Sequence, residues 1–520
     1  MKTFSGKENI QKNLPDILSD ESRFSLGTPE TVYFPQSITD VREIARQSSR
    51  DRVPITIIGA HTGITGGSVP IDNCIAACFS EMNRIIRVKP DGNDGLVLTC
   101  QPGVTLKEIA SFLEEPDTWS LPVEGKELLA PGAWFYPPDP TEMTAQLGGT
   151  MATNASGSRS YHFGPTRSNI EALSLVFATG DTIALRRGEH PAENGFFKVT
   201  TDQGATRSFP VPAYQSPAIK NAAGYYSKKG MDFIDLFIGS EGTLAIFTEI
   251  NVRLLHTPKI PAGLSFFPGL REAFEFADYL REVENIAAIE YFDESALAFI
   301  RKHPDRGPEK IPDYPQNKKC AVYWEYMETP ALPIEDQLDK WENALSMSGS
   351  SFEATWSGFD KKEMEFLRQF RHLVPESINA AIAGYKRECP TIRKISTDSA
   401  FPKEFFLEAM EKYVSFAKSA QLEYALFGHL GDFHLHLNLL PHNAGEFEKA
   451  LEVYGKTMAL AMECKGTISA EHGIGKIKRS YLKKMYGEQI ISEMKRVKSE
   501  LDPQWLLSPG NLFTKEAFPF

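Results

Sequence analysis

The chain has 520 residues and a mass of 58.1 kDa, and its 56 lysines and arginines against 68 aspartates and glutamates give a net charge of −12. Hydrophobic residues make up 42 % and aromatic residues 11 % of the chain, which is enough for large buried cores and excludes a mainly disordered protein. The acidic balance argues against a nucleic-acid-binding protein, which usually carries a basic surface. The length corresponds to about three domains at most.

Six cysteines are scattered along the chain without a Cys-x-x-Cys pair, at Cys74, Cys78, Cys100, Cys320, Cys389 and Cys464. This pattern is typical of reduced thiols in a cytosolic protein and not of a disulfide or zinc framework. The N-terminal stretch lacks the apolar segment of a secretory signal, and no run approaches the ~18 apolar residues of a membrane span. We therefore expect a cytoplasmic protein without a transmembrane segment.

The first elements predict a layered structure of helices and strands. A strand is expected over Val32–Pro35, and Ser37 with Asp40 forms a capping-box pattern for a helix that ends near Asp51. The run Pro54–Ile58 then reads as a buried strand that leads into a glycine-rich loop. A strand–helix–strand order of this kind indicates mixed helix and sheet layers.

Further along, Leu173–Ala178 and the turn at Thr179–Asp181 predict a strand and hairpin, and Leu236–Ile238 through Leu254 predicts another strand system. Beyond Pro258 longer helical patterns appear, over Leu270–Val283 and Ile334–Ser346. They are interrupted by a stretch rich in proline and charge between Lys302 and Lys319. We place a domain boundary near residue 256.

Three loops are rich in small residues: Gly59–Gly67, the segment from Pro137 that continues through Gln146–Gly157, and Gly239–Leu244. A pyrophosphate needs backbone N–H groups at close range, and small residues permit that approach. One such loop alone is usually an ordinary turn. Three of them together favour a dinucleotide site, and the absence of G-x-G-x-x-G after a strand argues against an NAD-type Rossmann fold.

These loops, together with Lys220–Tyr225 and Leu507–Asn511, resemble the FAD-binding domain of the vanillyl-alcohol oxidase and p-cresol methylhydroxylase relatives. Within that superfamily the chain resembles the FAD-dependent D-2-hydroxyacid dehydrogenases, a group of D-lactate dehydrogenase, the glycolate oxidase flavin subunit and D-2-hydroxyglutarate dehydrogenase. The resemblance runs from about Thr31 to Phe513 and is far more specific for the family than for the substrate. It implies that FAD is bound by residues in the three loops and near the C-terminus: Gly59, Ala60, His61, Thr62, Gly63, Thr65, Gly66, Pro138, Asp139, Thr144, Gly148, Gly149, Asn154, Ala155, Gly157, Glu241, Gly242 and Asn511.

The first loop departs from the family pattern, because Ile58-Gly59-Ala60-His61-Thr62-Gly63 stands where the family has Arg-Gly-Gly-Gly-Thr-Gly. In the berberine-bridge branch of the superfamily, a histidine near this position is bonded to the flavin. We expect His61 to lie beside the pyrophosphate, and a covalent link to the flavin is the alternative.

Histidines and a carboxylate cluster in two short windows, Gly428–Asn438 and Ser469–Gly475. Side chains alternate along a strand, so His434, His436 and Asn438 are predicted to share one face. Two imidazoles and one carboxylate make a suitable set of ligands for a divalent transition metal with positions left for substrate. The alternative for each histidine is a hydrogen-bonded, half-buried imidazole.

The resemblance assigns roles within these windows. It implies that His429, His436 and Glu471 are the metal ligands and that His472 is the catalytic base. The family usually has Gly-Asp-Gly-Asn where this chain has Gly431–His434. His434 could therefore be an extra ligand or an outer hydrogen-bonding group, and Phe433 adds bulk to a turn that is normally open.

Two cations are candidates for binding a substrate carboxylate. Arg371 matches the family's Arg-x-x-x-Pro segment, and Lys394 precedes Asp398 as in the family; arginine suits a carboxylate because its fork bonds both oxygens. Each could instead be a surface residue. The basic runs Lys476–Arg479 and Lys483–Lys484 are expected to form solvated helix faces, with a docking patch for an acidic electron acceptor as the alternative.

We therefore expect an α+β protein with a two-subdomain FAD-binding domain of the vanillyl-alcohol-oxidase type over residues 1–255. An α+β cap domain with an antiparallel sheet would follow over 256–465, and residues 466–520 would complete the active site. The implied reaction is oxidation of a small D-2-hydroxy acid to the 2-oxo acid, with hydride transfer to FAD, and with zinc or manganese orienting the substrate.

Two other functions stay open. One is a non-redox enzyme on a flavin fold, as in the ether-lipid synthases, and the other is a 2-His-1-carboxylate metal oxygenase. The sequence chooses neither the hydroxy acid nor the electron acceptor, for which oxygen, a quinone and a partner protein are all candidates. It also leaves a homodimer open.

Overall fold

The computed structural model describes residues 1–202, 204, 206–302 and 317–515. Most of the proline- and charge-rich stretch noted between Lys302 and Lys319 therefore lies outside the described residues. The chain divides into two compact units, of which the first comprises residues 1–156, 164–257 and 471–520. The second comprises residues 157–163 and 258–470. For comparison, the domain limits expected from the sequence are 255/256 and 465/466.

The described strands and helices alternate irregularly along the chain. The strands are β1 (Lys2–Ser5), β2 (Thr31–Phe34), β3 (Ile55–Ile58), β4 (Ile75–Cys78), β5 (Ile85–Pro90), β6 (Leu96–Cys100), β7 (Trp134–Phe135), β8 (Ile170–Val176), β9 (Thr182–Arg186), β10 (Phe196–Thr200), β11 (Thr206–Pro210), β12 (Ile246–His256), β13 (Ala262–Phe267), β14 (Ile286–Phe292), β15 (Cys320–Tyr326), β16 (Thr355–Gly358), β17 (Ile395–Ser396), β18 (Ser399–Ala400), β19 (Glu423–His429) and β20 (His434–Leu440). The helices are α1 (Lys7–Asn13), α2 (Ile38–Asp51), α3 (Leu106–Glu114), α4 (Leu147–Thr153), α5 (Ser160–Phe163), α6 (Phe233–Phe237), α7 (Leu270–Arg281), α8 (Glu294–Lys302), α9 (Glu335–Met347), α10 (Lys361–Glu388), α11 (Lys403–Ser419), α12 (Ala444–Glu463) and α13 (Arg479–Leu501).

The first unit contains two sheets and a separate hairpin. The first sheet has the order β1-β2-β4-β3, with β4 parallel to both β2 and β3 and with β1 antiparallel at the edge. The second sheet has the antiparallel order β5-β6-β12-β8-β9, and β7 pairs with the end of β12. Apolar side chains of α2 pack on one face of the first sheet, and those of α1 pack on the other.

The second unit is built on an eight-stranded sheet whose recorded pairs are all antiparallel, in the order β16-β13-β15-β14-β19-β20-β17, with β18 beside β20. Helices α7, α9, α11 and α12 contribute to the apolar cluster on one face, and α8 and α10 contribute to the cluster on the other. The predicted α+β class and the antiparallel sheet are confirmed.

Several local predictions are confirmed. Strands β2, β3 and β8 and helices α2, α7 and α9 occur within a few residues of their predicted limits. The predicted capping box of α2 forms only in part: the Asp40 N–H donates to Ser37 Oγ at 3.3 Å, but the Asp40 carboxylate accepts from Gln36 N–H. No disulfide joins the six cysteines, all of which lie within the described residues.

The strand predicted from Leu236–Ile238 is wrong, because this apolar run belongs mostly to the short helix α6. Asp232 caps that helix by accepting from Ile234 N–H, and Asp235 reaches back to Asp232 N–H. The helix is buried on all sides, so an apolar periodicity cannot distinguish it from a buried strand. Among the described residues no helix combines the length and the apolar character needed to cross a membrane.

A buried ion pair closes the end of α13 in the first unit. Lys498 Nζ lies 2.5 Å from Asp502 Oδ2, and their side chains are 4 % and 0 % exposed. Lys498 also donates to the carbonyl oxygens of Thr243 and Leu507, and Asp502 accepts from Leu507 N–H. The pair thus connects α13 to Thr243, which precedes β12, and to Leu507 in the C-terminal segment.

We expect Asp502→Leu to destabilise the first unit by ~3–5 kcal/mol, because Lys498 would be left buried without its counter-charge. Urea unfolding followed by circular dichroism measures this loss. The double variant Lys498→Met/Asp502→Leu removes both charges and should be less destabilised than the single variant. Glu493→Leu breaks an exposed pair with Arg496 on the same helix and should cost no more than ~1 kcal/mol. An Asp502→Leu cost as small as that of Glu493→Leu would contradict this prediction.

Candidate active site

The first glycine-rich loop follows β3 in the first unit and lies against the start of the second loop. A Cβ placed on Gly59 would be 3.2 Å from Gln146 Oε1. His61 is half-buried with a left-handed backbone, at φ 59°. Burial lowers the pKa of the His61 imidazole, which favours its neutral form.

The second loop forms the short helix α4 and ends at Asn154, whose backbone is left-handed. Asn154 Oδ1 accepts from Arg167 N–H at 2.9 Å. A Cβ on Gly149 would meet no atom within 4 Å among the described residues, so a ligand could approach the backbone there. Thr144, also assigned to the cofactor, is exposed and donates to Glu142. Gly157 belongs to the second unit.

The third loop connects the first loop with the C-terminal segment. Glu241 is buried, and its carboxylate accepts the backbone N–H groups of Ile474 at 2.7 Å and Gly475 at 2.6 Å. Burial outweighs these hydrogen bonds and raises the pKa of Glu241 to about 7. Asn511 donates to the carbonyl oxygens of Gly67 and Glu241, each at 3.0 Å.

Lys476 contradicts the prediction of a solvated helix face. Its side chain is buried, and Nζ donates to Asn511 Oδ1 at 2.8 Å and to the carbonyl oxygens of Gly66 and Gly67. Burial lowers the pKa of Lys476 to about 8. Lys478 is buried as well. Charge patterning could not reveal this, because the acceptors of Lys476 lie far away in the sequence; its position directly after Gly473-Ile474-Gly475 was the only signal.

Each of the three loops also carries a buried polar atom that lacks a hydrogen-bond partner among the described residues: His61 Nδ1, Gln146 Oε1 and Ser240 Oγ. Buried polar groups in proteins are almost always hydrogen-bonded. A polar ligand at these loops would satisfy them. The loops of the first unit therefore fit a dinucleotide by the chemistry of their donors and acceptors as well as by their small residues.

In the second unit, β19 and β20 bring three imidazoles together. His429 lies opposite His434 in the register, and Phe427 lies opposite His436. The ring centroids of His434 and His436 are 4.4 Å apart, and those of His429 and His434 are 5.4 Å apart. The predicted shared face of His434, His436 and Asn438 follows from the strand assignment of β20 and is confirmed.

Acceptors outside the imidazole cluster contact each ring, two of them by hydrogen bonds and the third at ion-pair distance. His429 Nδ1 is 2.7 Å from Glu290 Oε1, His436 Nδ1 is 2.8 Å from the Thr397 carbonyl oxygen, and His434 Nε2 is 3.3 Å from Asp398 Oδ1. Such acceptors fix the ring and raise its basicity at metal sites. The cluster thus has the nitrogen donors and the outer hydrogen bonds that suit a divalent transition metal.

Glu471 and His472, the other predicted members of the site, belong to the first unit. The Glu471 carboxylate lies 2.8 Å from Lys220 Nζ and accepts from Ser156 Oγ at 3.0 Å. His472 Nε2 is 3.7 Å from Glu471 Oε1, and its side chain is 27 % exposed. A partly exposed imidazole beside a carboxylate can exchange a proton with a bound substrate. Lys220 was noted only as part of a family segment, and its pairing with Glu471 was not foreseen.

Arg371 lies on α10, which continues through Pro375. Its Nη1 donates to Ser158 Oγ, and its Nη2 is 3.1 Å from His372 Nε2. Burial and the charge of Arg371 lower the pKa of His372 to about 4, so that this ring is neutral near pH 7 and accepts from the guanidinium.

Arg159 is a second guanidinium in the same unit that sequence reasoning missed. Its Nε bonds Glu325 Oε2 at 2.7 Å, and Tyr323 OH donates to the same carboxylate. Burial opposes ionisation of Glu325, but Arg159 and Arg371 outweigh it and lower the pKa of Glu325 to about 2. No motif or spacing in the sequence distinguishes Arg159 from the small residues around it, so its role could not be predicted.

Lys394 precedes β17, and its Nζ donates to Asn379 Oδ1 on α10 at 2.8 Å. Burial lowers the pKa of Lys394 to about 8. The second unit thus contains both of the cations expected to bind a carboxylate, Arg371 and Lys394.

The sequence matches two family descriptions that together span most of the chain. Residues 258–512 match the family described as FAD linked oxidases, C-terminal domain. Residues 29–125 and 126–186 match the FAD binding domain.

Known proteins similar to the chain cover nearly its whole length. Glycolate oxidase subunit GlcD of Bacillus subtilis (strain 168) is 27 % identical over 495 residues, which are 94 % of this chain and 90 % of that protein. D-2-hydroxyglutarate dehydrogenase of Stutzerimonas stutzeri (strain A1501) is 27 % identical over 503 residues, 95 % and 93 % of the two chains. D-lactate dehydrogenase of Anaerostipes hadrus is 26 % identical over 533 residues, 96 % and 93 %.

Among solved structures, an alkyldihydroxyacetonephosphate synthase superimposes with a TM-score of 0.61 over 93 % of this chain and 76 % of the synthase, at 15 % identity. At that identity the likeness concerns the fold alone. The fold and the two family matches agree with an FAD-binding domain followed by an oxidase C-terminal domain. The chain therefore belongs to the FAD-linked oxidases, as an FAD-dependent enzyme of the kind that includes D-lactate dehydrogenase, D-2-hydroxyglutarate dehydrogenase and glycolate oxidase.

Proposed function

We propose that this enzyme oxidises a small D-2-hydroxy acid to the corresponding 2-oxo acid. The observation that carries the proposal is that the second unit contains complements for both groups of such a substrate. The imidazole cluster of β19 and β20 can hold a metal for the hydroxyl group, and the guanidinium of Arg371 can bind the carboxylate. The names of the similar proteins support the same class of substrate.

In the proposed mechanism the first unit supplies the cofactor site. The three loops would hold FAD, which accepts a hydride when it is bound. His429, His436 and Glu471 would hold Zn²⁺ or Mn²⁺, a Lewis acid for the hydroxyl group. His472 takes the proton of the substrate hydroxyl as general base. Arg371, with Lys394, holds the carboxylate and thereby fixes the orientation of the reacting carbon.

The function is tested by anaerobic titration of the FAD-loaded enzyme with D- and L-2-hydroxy acids. We expect one D-acid to bleach the oxidised-flavin absorbance and an added electron acceptor to restore it. If flavin is bound and no hydroxy acid bleaches it, the proposal fails and a non-redox reaction on the flavin fold replaces it. The match to the FAD binding domain leaves the flavin-free metal oxygenase without support.

The same titration ranks the candidate substrates and acceptors. We propose D-lactate-like acids as substrates and a protein or a quinone as the electron acceptor. The cytoplasmic location and the homodimer stay predictions.

We expect His472→Ala to bind FAD normally and to reduce the flavin ~10²- to 10⁴-fold more slowly, the range lost when a general base is removed. Stopped-flow flavin reduction under anaerobic conditions measures the rate. His442→Ala, which removes an imidazole that is 48 % exposed, is the matched control and should retain the wild-type rate. A near-normal rate in His472→Ala would remove His472 from the mechanism.

We expect Arg371→Lys to lower kcat/KM for the hydroxy acid ~10- to 100-fold, since a charged hydrogen bond of the fork is lost. Most of the change should appear in KM, because the carboxylate is bound before and during the reaction. Arg368→Lys is the control, because Arg368 lies one turn earlier on the same helix, is exposed and bonds only Glu365 among its recorded hydrogen bonds. Equal kinetics of the two variants would exclude Arg371 from substrate binding.

A further inference from the structure

We propose that His434 is itself a metal ligand, so that the second unit holds a divalent cation with three imidazoles. The inference deepens the proposed function, because it concerns the metal of the same site. It assigns His434 a direct role in choosing the metal, in favour of Zn²⁺ or Co²⁺ over Mn²⁺.

The first support is geometric. His429, His434 and His436 each offer one ring nitrogen, and these atoms lie within 4.8 Å of one another. All three residues belong to the hairpin of β19 and β20, so their separation depends on strand pairing and not on mobile loops. His434 is fully buried, with 0 % exposure. Three nitrogens at this spacing on paired strands can surround a cation, since zinc–nitrogen bonds are ~2.0–2.1 Å long.

The second support is the ring orientation that the surrounding acceptors impose. A carbonyl oxygen only accepts, so the contact with Thr397 uses His436 Nδ1 as the donor, and Nε2 is the nitrogen that can bind a metal. Glu290 acts in the same way on His429. The Nε2 atoms of these two rings are therefore the nitrogens that can bind a metal within the cluster.

Asp398 extends this arrangement to the third ring. Its carboxylate is buried and accepts from Ser469 Oγ at 2.7 Å and from Ala470 N–H at 3.2 Å. With its orientation fixed in this way, Asp398 Oδ1 lies 3.3 Å from His434 Nε2, where a carboxylate can support the imidazole as an outer partner of a metal ligand.

The third imidazole changes which metal the site prefers. Zinc, cobalt and nickel favour imidazole nitrogen, whereas manganese favours carboxylate, carbonyl and water oxygen. A site with three imidazoles should therefore select Zn²⁺ or Co²⁺. An asparagine at position 434 would replace nitrogen by an amide oxygen and bring Mn²⁺ closer in affinity.

The test uses the full-length, FAD-loaded enzyme after removal of metal by a chelator. Zn²⁺, Co²⁺ and Mn²⁺ are titrated into the wild type, His434→Asn and the control His442→Asn, and X-ray absorption at the zinc edge counts the imidazoles. We expect three imidazoles in the wild type and the control, and two in His434→Asn. The variant should bind Zn²⁺ at least ~10-fold more weakly, a loss no smaller than that of an outer hydrogen-bond partner, and Mn²⁺ almost unchanged.

The count in the wild type needs no variant, so the test holds even if His434→Asn fails to fold. Two imidazoles in the wild type, or no uptake of any of the three metals, would overturn the inference. Anaerobic bleaching of the flavin by a D-2-hydroxy acid is measured on the same samples. Bleaching with only two imidazoles leaves the proposed function standing without this ligand. Three imidazoles without bleaching leave the ligand standing without the proposed function.

Discussion

The buried carboxylate of Glu241 holds together the parts of the first unit from which the chemistry must come. It accepts the N–H groups of Ile474 and Gly475, two and three residues after His472. Close approach is possible because Gly473 and Gly475 have no side chain. A Cβ on Gly473 would lie 2.9 Å from Glu241 Oε1, and one on Gly475 would lie 2.1 Å from the Thr65 carbonyl oxygen. Steric crowding therefore explains why glycine occupies the positions 473 and 475 that follow Glu471-His472.

Glu241 also connects the candidate base to the cofactor loops through its backbone carbonyl oxygen. Asn511 bonds the Glu241 carbonyl and the Gly67 carbonyl, and Lys476 bonds Asn511 in turn. A shift of the C-terminal segment would leave several of these buried groups without partners, at a cost of ~1–3 kcal/mol each. The hydrogen-bond network thus positions His472 relative to the first loop more firmly than van der Waals packing alone would do.

Much of this arrangement could be predicted from the sequence, because it depends on local patterns. The small-residue loops, the strands before them and the alternation that places His434 and His436 on one face are all short-range features. The burial of Lys476 and the pairing of Lys220 with Glu471 depend on contacts between distant segments. The helix α6 was missed because a fully buried helix shows no apolar periodicity, although Asp232 and Asp235 formed a capping box.

The turn between β19 and β20 shows how two departures from the family pattern depend on one another. Phe433 has a left-handed backbone, at φ 54°, a conformation that costs an ordinary residue ~1–2 kcal/mol and that glycine adopts easily. The bulk that Phe433 adds to this turn packs against neighbouring side chains of the second unit. Its ring packs with Phe274 and Phe406, and the guanidinium of Arg281 lies 4.1 Å from the ring centre.

Arg281 also donates to the carbonyl oxygens of Leu430 and Gly431, so one guanidinium holds the turn both by hydrogen bonds and by its contact with Phe433. These contacts offset the backbone cost of the left-handed residue. They also fix the residue from which β20 starts, and therefore the register that sets His434 opposite His429. An imidazole at position 434 can serve as a ligand only if that register is rigid, because a slip of one residue would turn it to the other face. The contacts of Phe433 thus stabilise the register that the proposed metal binding by His434 requires.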